Sequence, residues 1–111
     1  MKKDLVYLQH ILDAIEKIET YTIVGKDSFM TTSHWQDAAI RNLEIIGEAV
    51  KRLSSSFKEN YPEIPWRNVA GLRDVLIHDY MGVDLESVWN VIHKNLPDLK
   101  KTVRKGIQQF E

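Results

Sequence analysis

The chain has 111 residues, room for one domain, and its 43% hydrophobic and 28% charged residues exclude a disordered chain. Fifteen Lys and Arg against sixteen Asp and Glu leave a formal charge of −1, so any nucleic-acid partner has to be held by a local patch rather than by a bulk basic field. The absence of cysteine removes disulfides, thiolate nucleophiles and thiolate-bound metals, and no apolar run reaches the ~18 residues of a transmembrane helix. A soluble, cytoplasmic chain is expected.

Five glycines and three prolines fall between long periodic stretches, which predicts an all-α domain over residues 1–111 with four to five helices. Leu5, Leu8, Leu12, Ile15 and Ile18 step by three and four, giving a first helix that runs to about Tyr21 and stops near Gly25. Lys26 to Thr32 read as a loop with room for one helical turn around Phe29. Ser33 and Gln36 form a capping-box pair at the start of the second helix. That helix carries two apolar seams, Ala39, Leu43, Ile46, Val50 and Leu53 beside Ala38, Ile45 and Ala49, so it is central in its fold or packs on two sides.

Ser54, Ser55 and Ser56 break the pattern, a short turn carries Phe57 and Tyr61, and Pro62 and Pro65 mark a rigid connection. A third helix is expected from about Gly71 to Asp79, with Met81, Gly82 and Val83 as its exit and Asp84 as the next N-cap. Leu85, Val88, Trp89, Ile92 and Leu96 form the stripe of the fourth helix. Pro97 suits the first turn of a fifth, through Leu99, Val103 and Ile107.

The segment Arg73, Asp74, Val75, Leu76, Ile77, His78, Asp79, Tyr80 places a permanent cation, an imidazole and a phenol close together. An imidazole exchanges protons near neutral pH, and a guanidinium grips phosphate oxygens with two prongs. These two groups suffice in principle to cleave RNA without a metal: His78 draws the proton from a 2′-hydroxyl and Arg73 neutralises the charge that develops on the phosphoryl group. Five helical positions lie about 140° apart around the axis. Either the last turn unwinds, or each group meets a copy from a second subunit. Asp74, four residues before His78, shares its face and can orient the ring.

Several runs resemble one known family. They are Arg41–Ala49 (RNLEIIGEA), Pro62 to Trp66 (PEIPW), Arg73 with His78 and Tyr80 as R-x4-H-x-Y, and Gly82 to Leu85 (GVDL) before Trp89. The combination resembles the HepT-like branch of the HEPN superfamily, ribonuclease toxins paired with MNT-type nucleotidyltransferase antitoxins, over nearly the whole chain. The resemblance implies a HEPN-type helical bundle that dimerises so that both motifs face one cleft. It implies Arg73 and His78 as the ribonuclease pair, and Tyr80 as a tyrosine that the partner can adenylylate. Asp74 stands where this branch usually has Asn; an acid still orients His78 but brings negative charge toward the RNA phosphate. No metal or cofactor is expected.

Plainer readings stand beside these. His10, His34 and His93 lack a second ligand at a strong metal spacing, and His34 with Asp37 is a weak pair, so surface or capping roles are expected. Glu44 and Glu48 suit a solvated stripe in which Glu48 bridges to Arg52. Trp35, Trp66 and Trp89 are expected in or beside the core rather than stacked on bases. Lys94, Lys100, Lys101, Arg104 and Lys105 fit either an RNA-tracking stripe or favourable charge at a helix C-terminus. The functional alternative to an endoribonuclease toxin is a non-catalytic helical module that binds a nucleotidyltransferase, with the polar motif building the interface.

Overall fold

The computed structural model describes residues 2–78 and 85–110, and the side chains of 3–72 and 85–110. Among the described residues every regular element is a helix: α1 (Lys2–Thr22), α2 (Lys26–Thr31), α3 (Ser33–Arg52), α4 (Ser55–Glu59), α5 (Trp66–His78), α6 (Leu85–Lys94) and α7 (Leu96–Gln108). The five longer helices are the five expected, and the described residues form an all-α bundle. The two short ones fall where the sequence offered single turns, around Phe29 and Phe57, and each turn is held by burying its phenylalanine. None of these helices is long and apolar enough to cross a membrane.

α3 packs chiefly against α1 and α5, as its two apolar seams require. Leu43, Ile46, Ala49 and Val50 are buried within the chain, while Ile45 stays exposed. Most of the apolar surface of this helix is therefore covered by the chain's own neighbours. α1 lies antiparallel to α3, with Asp4 at the start of α1 meeting Ser54 just beyond α3. Asp4 Oδ1 accepts from the Ser54 N–H at 2.8 Å and Oδ2 accepts from the Ser54 hydroxyl at 2.6 Å. The same hydroxyl oxygen accepts from the Phe57 N–H and so caps α4. α1 ends as Gly25 turns the chain at a φ of 96°, a left-handed conformation that glycine adopts without a Cβ clash.

Two local expectations are corrected. The capping box at Ser33 and Gln36 does not form: Thr32 is the cap residue, and Gln36 Nε2 instead donates to the Phe29 carbonyl at 2.9 Å, tying α3 to α2. The third expected helix begins at Trp66, not near Gly71, because Pro65 presets the first turn and its carbonyl accepts from the Val69 N–H at 3.0 Å. Pro97 does sit in the first turn of α7, one residue after that helix opens. The exit at Met81, Gly82 and Val83 and the cap at Asp84 lie outside the described residues.

Gly106 lets α7 close on α1 and α4. A Cβ there would come within 2.7 Å of Phe57 Cε2 and 3.1 Å of Leu8 Cδ1. Gly106→Ala should therefore destabilise the protein, since an overpacking cost of ~1–3 kcal/mol outweighs the roughly 1 kcal/mol gained in helix propensity. Asp4→Ala, which strands the Ser54 N–H, should cost about 1–3 kcal/mol. Thermal denaturation checks both, and a higher melting temperature for either variant would contradict the packing described.

Candidate functional site

α5 carries the sequence-predicted residues Arg73, Asp74 and His78, and its beginning is firmly moored. Ile64 and Trp66 are buried, and the Trp66 indole N–H donates to the carbonyls of Lys58 and Tyr61 at 3.1 and 3.0 Å. Phe57 meets Trp66 edge-on and Tyr61 at a tilt, with ring centroids 6.0 and 5.1 Å away. The Tyr61 hydroxyl in turn accepts from Gln109 Nε2 just past α7. The Pro62–Pro65 connection is thus stapled to the C-terminal end of α7.

α6, which resumes the chain after residues 79–84, is held from the opposite direction. Phe29 of α2 is fully buried with its ring centroid 5.2 Å from that of Trp89, and Lys26 pairs with Glu86. α6 also packs on α7. Both helices flanking the motif segment are consequently fixed by contacts distant in sequence.

Between α5 and α7 lies a groove of about 540 Å³. α5 contributes Asn68, Val69 and Leu72, α7 contributes Leu99, Lys101, Thr102 and Lys105, and Pro65, Val91 and Asn95 complete the walls with the carboxylates of Glu63 and Asp98. α7 is strongly two-faced. Leu96, Leu99, Thr102, Val103 and Gly106 are buried, and Lys100, Lys101, Arg104, Lys105 and Gln108 follow the opposite stripe. Lys100 is tied to Glu19 at 2.8 Å. Lys101, Arg104 and Lys105 are exposed and have no ion-pair partner among the described residues.

The backbone of α5 remains helical through His78, while the side chains of Arg73, Asp74 and His78, and all of Tyr80, lie outside the described residues. The plainer expectations hold for the other candidates. Glu48 bridges Arg52 at 3.5 Å. His10, His34 and His93 are exposed; their rings lie against Tyr7, Trp35 and Trp89, and His93 Nδ1 is 3.0 Å from the Trp89 carbonyl oxygen. Trp66 belongs to the core, and Trp35 and Trp89 are partly buried against that core. Among the described residues no three His, Asp or Glu gather as a metal site would require. Sequence reasoning missed the groove and Thr102, although a hydroxyl on the otherwise apolar stripe of α7 was a readable sign.

The family model for ribonuclease HepT-like proteins matches residues 11–106. The chain is 47% identical over 113 residues to a Methanocaldococcus jannaschii protein named "gamma-glutamylcyclotransferase and putative RNase", covering all of this chain but 51% of that longer protein. It is 41% identical over 110 residues to a "putative RNase" of Caldanaerobacter subterraneus, covering 98% of each chain. It is 45% identical over 100 residues to a "probable ribonuclease HepT" of Thermococcus cleftensis, covering 89% of this chain and 91% of that one. No solved structure matches. The protein belongs to the ribonuclease HepT-like family.

The mooring of α6 generates a test. Phe29→Leu should cost about 1 kcal/mol and accelerate amide hydrogen exchange in α6 before it does so in α1 and α3. Equal acceleration across all three helices would show that α2 does not hold α6 specifically.

Proposed function

We propose that the protein is a metal-independent endoribonuclease toxin that acts as a homodimer, with Arg73 and His78 as its catalytic pair. Family membership over residues 11–106 carries this reading, since that span contains an R-x4-H pair of the two residue types that RNA cleavage needs. His78 accepts the proton of the 2′-hydroxyl, O2′ bonds to phosphorus, and the bond from phosphorus to O5′ breaks as O5′ takes a proton from water, leaving a 2′,3′-cyclic phosphate and a 5′-hydroxyl. Arg73 holds the phosphoryl oxygens as negative charge gathers on them. Asp74 positions the imidazole. A helical α5 through His78 favours the second-subunit solution to the ~140° separation over the unwinding of the last turn. A cleft between two copies of α5 would pair each Arg73 with the other chain's His78.

The same reading assigns control to an MNT-type nucleotidyltransferase antitoxin. Transfer of AMP from ATP to the Tyr80 phenol, with pyrophosphate leaving, would set a phosphate and an adenine two residues from His78 and occupy the anion grip that RNA needs.

Arg73→Ala and His78→Ala should each lose most cleavage, and Arg73→Lys should also be poor because the two-pronged geometry is gone. Wild-type cleavage should persist in chelator and yield cyclic phosphate ends; strict dependence on divalent ion with 3′-hydroxyl ends would contradict the mechanism. Tyr80→Phe should fold, arrest growth on expression and escape neutralisation by a co-expressed nucleotidyltransferase. Neutralisation equal to wild type would show that inhibition works by binding alone. If neither the wild type nor His78→Ala arrests growth, the chain is the non-catalytic module.

A further inference from the structure

We propose that the groove between α5 and α7 is a nucleotide subsite of the RNA substrate, taking one base between its apolar walls while Lys101, Arg104 and Lys105 hold the neighbouring phosphates. The inference rests on the ribonuclease reading and adds to it where the strand lies. A volume of about 540 Å³ falls within the range of small-ligand clefts. Pro65, Val69 and Leu72 offer the apolar surface that a flat heterocycle covers.

Thr102 is the observation that points to a ligand. It is 6% exposed, it lines the groove, and its hydroxyl has no hydrogen-bond partner among the described residues. Other threonines in these helices behave differently: Thr20, Thr22 and Thr31 each donate to the carbonyl four residues earlier, at 3.1, 2.9 and 2.8 Å. The hydroxyl of this otherwise buried residue forgoes the local bond and stays accessible in the groove wall, where it offers a donor and an acceptor to whatever fills the groove. The Asn68 and Asn95 side-chain amides are likewise unpaired within the described residues, and such amides match the mixed donors and acceptors of a base edge.

Charge favours RNA over a protein partner. α7 concentrates four cations against one carboxylate in a chain of formal charge −1, and three of the four have no ion-pair partner among the described residues. Lys101 and Lys105 belong to both the groove and the basic face, so a base in the groove leaves its phosphates on the cations. The carboxylates of Glu63 and Asp98 disfavour an anion inside the groove itself and can accept from an exocyclic amine. Val69 and Leu72 line the groove on the helix that carries the motif, and Arg73 is the next residue of the chain.

The test uses the intact protein and a fluorescent, fully 2′-O-methylated RNA octamer, which cannot be cleaved, with anisotropy measured across a salt series. Thr102→Val should weaken binding roughly tenfold and Thr102→Ser should restore it, while thermal melting confirms that both fold. Lys101→Gln with Lys105→Gln should flatten the slope of log affinity against log salt by about 1.4, since each phosphate contact on single-stranded RNA contributes about 0.7. The same charge change at exposed Lys17 on α1 should leave that slope unaltered. Wild-type affinity and slope in both groove variants would overturn the proposal. So would variants that keep RNA binding but lose the dimer or a nucleotidyltransferase, because the groove would then be a protein surface. If the wild type shows the expected sensitivities yet cleaves no RNA, the nuclease reading fails and the subsite stands. If it cleaves RNA and the variants bind as wild type, the subsite alone fails.

Discussion

The structure depends on the two-sided burial of α3. A helix with adjacent apolar seams has to be covered on both, and in a chain of 111 residues only the chain's own helices or a second subunit can do it. Here α1 takes one side and α5 the other, leaving Ile46 and Val50 with no exposure. The helix that bears Arg73 and His78 thereby packs against α3, with Trp66 buried at its start. Its start is further secured by the Phe57, Tyr61 and Trp66 cluster. A reactive segment that follows such an anchor can be positioned reproducibly, as catalysis by a few side chains demands.

The framework was legible in the sequence because it rests on periodicity and breakers. The stripe from Leu8 to Ile18, the stop at Gly25, the greasy α3 and the role of Pro97 all follow from local rules, and the structure has them. What escaped is what distant residues decide. Ser33 and Gln36 satisfy a local capping pattern, yet Gln36 bonds to Phe29 because α2 is packed there. Gly71 looked like a helix start, but the turn set by Pro65 begins the helix five residues earlier. Asp4 carries no local sign of a partner, and only the antiparallel return of α3 brings Ser54 to it, fifty residues on.

The chemistry was legible differently. An arginine and a histidine five residues apart mean little alone, and their significance came from the accompanying runs around Asn42, Pro65 and Gly82, which the family match over residues 11–106 supports. The groove is a tertiary product: Asn68 and Thr102 are thirty-four residues apart, and no local pattern joins them. The basic stripe of α7 was visible as a run of lysines and arginine, with its purpose open. Its cations, without ion-pair partners among the described residues, and the Thr102 hydroxyl in the adjoining groove are the basis for proposing a role toward RNA rather than simple complementation of a helix end.

The central claim is that two copies of α5 complete one another's site, and subunit mixing tests it most directly. Arg73→Ala and His78→Ala chains, each inactive as purified, would be combined at equal concentration, allowed to exchange subunits, and assayed on a labelled RNA. A site that takes Arg73 from one chain and His78 from the other leaves one intact site in each mixed dimer, so random exchange should recover about a quarter of the wild-type rate. A mixture that stays at the level of its parents, with native mass spectrometry showing that mixed dimers have formed, would contradict the composite site.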